Sequence, residues 1–311
     1  MLTPDAAAVG RGFAGVCHGT LGELYQGPLR AGPDPDIALV SFPVDRHSWV
    51  YFTPGDEPQP VSGPEPGTAS GPEPGTASGP LGEKTQRAVR LFLDRHGRTL
   101  PPGRFSAHSD LTVGVGMASS TADIVAALRC LFRVFSLPED PDTTRDVLAA
   151  IERADSVFLE EFALHLSARH RVVRRLGTGV VFHTAFVTEP GTVDTSATTP
   201  VLLRHYRRRG DEYERCLTDL LKGFSAKDAP AVARAATTSA VLSQEALPKQ
   251  TFGAVLAHRD EFGADGVFVA HTGSLVGYLF AHRPAPSLKG ELSAFFRSLG
   301  HQCTFAQGGF A

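Results

Sequence analysis

Apolar residues recur along this chain with two periods, and the switches between them mark its elements. Ile124, Leu128, Leu131 and Phe135 return at helical spacing while Asp123, Arg129 and Arg133 occupy other positions on the wheel, which predicts a helix over about 118 to 135. The same spacing predicts helices at about 82 to 95, 143 to 161, 211 to 224, 228 to 245, 251 to 261 and 287 to 299. Short apolar runs predict strands at 12 to 17, 37 to 42, 47 to 53, 104 to 109, 171 to 175, 178 to 187, 266 to 270 and 275 to 280, with a last one ending at Thr304. Strands dominate before residue 110 and helices interleave with strands after it, an α+β layout in two lobes. The longest apolar run, Val267 to Phe280, is broken by His271, Thr272, Gly273 and Ser274, so it reads as buried strands around a turn and not as a membrane span.

One segment fits neither period. Residues 56 to 80 contain the octapeptide Ser-Gly-Pro-Glu-Pro-Gly-Thr-Ala twice and begin it a third time. A Pro/Gly-rich stretch with almost no large apolar side chain cannot bury enough surface to offset its ordering entropy, so it reads as a disordered surface insertion.

The candidate chemistry centres on Asp110-Leu-Thr-Val-Gly-Val-Gly-Met-Ala-Ser-Ser-Thr-Ala-Asp123, which runs into the helix at 118. Gly114 and Gly116 allow positive φ and close backbone approach to a ligand. The unpaired amides of the first helical turn and the hydroxyls of Ser119, Ser120 and Thr121 read as a cradle for phosphate. Ser120 followed by Asp123 is also an ordinary capping pattern that needs no ligand. A Walker A loop is excluded, since no lysine lies between Lys84 and Lys222, and a dinucleotide fingerprint would place glycine where Ser119 stands.

Composition narrows the partners. The chain has 311 residues, 42% of them hydrophobic, and a net charge of -3, an ordinary globular balance that argues against nucleic acid despite the short basic runs at 169 to 175 and 204 to 209. Cys17, Cys130, Cys216 and Cys303 are widely spaced and follow no signal peptide, which implies reduced thiols in a cytoplasmic protein with no membrane partner. His165 and His170 are five apart and would not share a helix face as a metal pair.

The loop resembles the second motif of the GHMP kinases, and its Met-Ala-Ser-Ser-Thr-Ala-Asp form is closest to the L-threonine kinase branch that serves cobalamin side-chain synthesis. Cys17-His-Gly-Thr-Leu-Gly-Glu-Leu-Tyr-Gln-Gly27, Val40-Ser-Phe-Pro-Val-Asp45, Leu247-Pro-Lys249 and Val269-Ala-His-Thr-Gly-Ser-Leu-Val-Gly277 resemble further segments of that branch in the same order. The resemblance implies a two-lobed fold: an N-terminal lobe over 1–165, like ribosomal protein S5 domain 2, and a ferredoxin-like C-terminal lobe over 166–311. It implies ATP and Mg²⁺ as cofactors and a small hydroxy amino acid or related metabolite as acceptor, with a homodimer left open. Ser120 and Glu152 would hold the metal, Gly114, Gly116, Met117, Ala118, Ser119, Ser120 and Thr121 the phosphates, and Glu23, Asp45, Thr272, Gly273 and Ser274 the substrate. Leu166 stands where the branch has an aspartate base, so Asp155 or His165 would substitute, or the proton would leave without a dedicated base. The alternative reading is a catalytically silent protein of the same fold that binds a nucleotide or metabolite.

Overall fold

The computed structural model of the chain describes residues 12–30, 35–55, 79–191 and 195–311. The repeat insertion, apart from its last residues, lies outside them. Its end does not: Gly79 bridges to Ala107 through two backbone hydrogen bonds of 3.0 and 2.9 Å.

Two long antiparallel strands, β1 (Phe13–Arg30) and β2 (Pro35–Pro54), form the spine, in register from Phe13 opposite Phe52 to Arg30 opposite Pro35. Their register shifts between His18 and Tyr25, so the ribbon is irregular where Glu23 lies opposite Ser41. On the outer side of β2 lies β3 (Gly103–Ser109). The described strands make one sheet in the order β1, β7 (Gly266–Val269), β8 (Leu275–Phe280), β6 (Val180–Thr188), β9 (Thr304–Phe310), β2, β4 (Phe162–Leu166), β5 (Arg171–Gly177). Residue 165, where the two-lobe reading divides the chain, falls within β4.

Helices α1 (Glu83–His96), α2 (Ser119–Val134) and α3 (Pro141–Ala149) pack together over the β1 and β2 ribbon. The apolar face of α2 is buried from Ile124 to Phe132, and β1 meets it closely enough that a Cβ on Gly15 would lie 2.0 Å from the Ala126 carbonyl oxygen. Helices α4 (Thr195–Ala226) and α5 (Ala229–Ser243) lie against β1 and β7. A second, smaller core gathers α6 (Phe252–Ala257) and α7 (Pro286–Ser298) around Tyr278, Phe262 and Phe296. None of the described helices is long and apolar enough to cross a membrane.

Several expectations from the sequence change here: the strand expected at 12 to 17 is the longer β1, and those expected at 37 to 42 and 47 to 53 are the single strand β2. The helix expected over 143 to 161 is α3, capped by Asp140 accepting from Asp142 and Thr143 and finished by Ala149. Beyond Ala149 the chain forms a loop and then the wholly buried strand β4, whose five residues lie just past the end of the expected helix. Helix α4 begins at Thr195 instead of near 211, bending at Arg209 (φ −110°). Helix α6 is shorter than the expected 251 to 261. The last strand starts at Thr304 instead of ending there, because Thr304 to Phe310 pair along β6 from Phe186 to Val180.

Candidate active site

The segment 110–118 folds into turns strapped between β1 and the turn that joins β7 to β8. Thr20 N donates to Met117 O (3.0 Å), Gly22 N to Gly116 O (3.0 Å) and Ser274 N to Val115 O (2.9 Å). Gly116 has φ +100°, and a Cβ there would come within 2.5 Å of Ala270 Cβ; one on Gly273 would come within 2.2 Å of Val115 O. Glycine is therefore required on both sides of this contact, and it locks three distant stretches of sequence together. Ala118, in the left-handed region at φ 53°, precedes α2, and no side chain caps that helix. The capping alternative is thus removed: Asp123 instead accepts from Ser48, and Ser120 sits inside the first turn. Ser119, Ser120 and Thr121 keep first-turn amides with no intrahelical partner, the arrangement that favours an anion.

Three donors converge on one carboxylate beside this turn. Ser120 Oγ donates to Glu152 Oε2 (3.0 Å), Thr121 Oγ1 to Glu152 Oε1 (2.8 Å), and Lys84 Nζ ion-pairs with Oε2. The end of α3 delivers Glu152, whose amide still bonds to Leu148 O (2.9 Å). Hard oxygen donors from one carboxylate and one hydroxyl, with a cation already resting on that carboxylate, fit a Mg²⁺ that completes its shell from phosphates and water. Among the described residues no group of three His, Cys, Asp or Glu side chains makes an all-protein metal cage.

Three residues further on, Asp155 accepts from Ser41 Oγ (2.8 Å) and keeps partial solvent contact. Burial, and then the charge of Glu23 across the ribbon, push its carboxyl up to about 7 against the Ser41 hydrogen bond. Glu23 is 7% exposed and His271 1%. Glu23 Oε2 accepts from the His271 amide (2.9 Å) and its Nδ1 (3.1 Å), while His271 Nε2 lies 2.9 Å from Ser239 Oγ, which accepts from Gln26 N (3.2 Å). A neutral ring with its proton on Nδ1 satisfies every partner in this chain, so His271 holds Glu23 in place through a ring that is itself fixed from α5.

Two cations that the sequence reading did not place in the site face the same region. Arg153 donates to Thr199 Oγ1 and Ser167 Oγ (each 2.9 Å) and has no carboxylate partner among the described residues. Lys249 Nζ donates to the His271 carbonyl (3.3 Å), and burial lowers its pKa against the pull of Glu23 and Glu189. Nothing in the spacing of Arg153, Ser41 or Lys84 marks them; they reach the site only through tertiary packing. Lys249 lies in the Leu-Pro-Lys segment of the resemblance, which gave it no role.

Asp45, by contrast, is exposed and accepts from Gln307 N (3.1 Å) on β9. Thr272, Gly273 and Ser274 form the turn over the 110–118 segment, with Ser274 Oγ buried and unpartnered. His165 is fully buried between Phe158 and His170, its two ring nitrogens unpartnered, and burial together with His170 drives its pKa down to about 3.

The profile of the GHMP kinases N terminal domain matches residues 83–158, the span that carries Lys84, the loop, Glu152 and Asp155. Over that span the chain carries a GHMP kinase N-terminal domain. It is similar to an L-threonine kinase of Citrobacter freundii, 27% identical over 270 residues that cover 85% of this chain and 84% of that protein. An L-threonine kinase of Salmonella typhimurium is 28% identical over 206 residues, covering 61% of this chain and 64% of that one. In fold it resembles the Methanococcus jannaschii mevalonate kinase (TM-score 0.71, 10% identity, 97% and 99% of the two chains) and a homoserine kinase from Cytophaga hutchinsonii (0.63, 12%, 100% and 98%). The α+β GHMP kinase fold expected from the sequence is the fold it has.

Proposed function

We propose that this protein is an ATP-dependent kinase that phosphorylates the hydroxyl of L-threonine or a closely related hydroxy amino acid. The observation that carries the reading is the meeting of Ser120 and Glu152 at the uncapped start of α2, with Asp155 poised beside them. The C. freundii and S. typhimurium relatives support L-threonine as the acceptor.

The phosphate loop amides and the Ser119 hydroxyl hold the nucleotide's phosphates, and Ser120 with Glu152 would hold Mg²⁺, while Thr121 donates to Glu152 Oε1 and keeps that carboxylate in place. When bound, Mg²⁺ supplies charge neutralisation to the transferring phosphoryl group. Asp155 accepts the proton of the acceptor hydroxyl as that oxygen bonds to the γ-phosphorus and the bond to the β,γ-bridging oxygen breaks, releasing ADP. A carboxylate near pH 7 is well matched to that task, because it is ionised enough to act and basic enough to take a proton. Buried Glu23 offers negative charge to an acceptor ammonium, and Arg153, held by two neutral hydroxyls, offers a guanidinium to an acceptor carboxylate.

ADP release with MgATP tests this across L-threonine, L-serine, L-homoserine, 1-amino-2-propanol and 3-hydroxybutyrate. The expected result is turnover with the amino acids and little with the two analogues that lack the carboxylate or the amine. Nucleotide binding without ADP release for any acceptor would instead support the silent reading.

A further inference from the structure

Lys84 is the one lysine or arginine side chain that makes an ion pair with Glu152 among the described residues, and its position is hard to explain by the helix that carries it. It is the second residue of α1, where the positive end of the helix dipole disfavours a cation, and its ammonium is 56% exposed. The pair is open to water on the lysine side, while the carboxylate is 12% exposed. Yet the ammonium rests on Glu152 Oε2, the same oxygen that accepts from Ser120. The loop from Asp110 to Asp123 contains no lysine or arginine, so the cradle offers a polyphosphate only neutral donors. Glu23 and Asp155 add negative charge close by.

Resting on the assignment of Ser120 and Glu152 to the metal, we propose that Lys84 is a displaceable counter-cation of the nucleotide site. Without nucleotide, its ammonium neutralises Glu152 and competes with a free divalent cation. With a nucleoside triphosphate, the metal takes over Glu152 and the phosphates give Lys84 a new anionic partner. Metal alone therefore binds weakly, metal with nucleotide binds well, and the two enter together. One residue serves both states because its long stem lets the ammonium move while the helix stays fixed.

The test is Mn²⁺ titration of the full chain without nucleotide, read by the electron paramagnetic resonance of free Mn²⁺, alongside binding of a non-hydrolysable ATP analogue with Mg²⁺. Lys84→Met should tighten Mn²⁺ binding about fivefold and weaken the analogue by a similar factor, opposite signs that a general loss of structure would not produce. Lys84→Arg, which keeps the charge, should return both values toward wild type. Mn²⁺ affinity unchanged in Lys84→Met, with binding still abolished by Glu152→Gln, would overturn this inference alone. Mn²⁺ binding indifferent to Glu152→Gln would overturn the metal assignment beneath it.

Discussion

Asp155 offers the sharpest prediction, because its protonation and its proposed role meet in the same pH range. The profile of kcat/KM reports the free enzyme, in which burial and Glu23 hold the Asp155 carboxyl near 7. At about pH 5.5 only about 3% of such a group is ionised, so kcat/KM should lie roughly thirtyfold below its alkaline plateau. Asp155→Asn should remove the limb and lower the plateau about a hundredfold or more, the usual contribution of a general base. Glu23→Gln should move the limb to lower pH without removing it, since it deletes the neighbouring charge but leaves the burial. His165→Ala should leave the limb in place, because a ring driven down to about 3 does not titrate there. Initial rates at saturating and limiting acceptor between about pH 5 and 9 give the profile. A flat profile, or a limb that survives Asp155→Asn, would refute the assignment of Asp155 as base.

The same carboxyl links pH to stability. Its folded value lies above the ordinary carboxylate range, so its contribution is fully present below that range and is lost as pH rises through about 7; Asp155→Asn should therefore melt higher than wild type at about pH 8, with the gap closing toward pH 5 in calorimetry. Ser120→Ala and Glu152→Gln should each depress turnover at least about tenfold at limiting Mg²⁺, with partial recovery at high Mg²⁺; unchanged Mg²⁺ dependence in both would contradict the ligand assignment. Gly273→Ala would push a methyl into the Val115 carbonyl and should cost about 1–3 kcal/mol in denaturant titration while weakening nucleotide binding. His165→Leu replaces two unpartnered buried nitrogens with apolar surface and should leave the protein as stable as wild type or more so, by up to about 1 kcal/mol.

The sequence shows most clearly what is local. The run of glycines and hydroxyls before Ile124 marks a helix N-terminus with a turn ahead of it, and Val267 to Phe280 marks two strands around His271 and Gly273. Both are present in the fold. The Ser120 and Glu152 pairing was legible through the ordered motifs, though 31 residues separate Thr121 from Glu152. No element was expected over 162–166: β4 is a five-residue apolar run whose period does not decide between helix and strand, and pairing with β2 and β5 makes it a strand. The electrostatics were least legible. Glu23 acts on Asp155 only because β1 and β2 place Glu23 opposite Ser41, and Arg153 turns toward Thr199 and Ser167 for reasons that no spacing encodes.

The most direct measurement of the central claim is the mass of the acceptor after incubation with MgATP and L-threonine. A gain of one phosphoryl group on the hydroxyl, matched one to one by ADP and absent in Glu152→Gln, is the expected result. ATP consumed to inorganic phosphate with the acceptor unchanged, or nucleotide bound with no turnover, would contradict the claim.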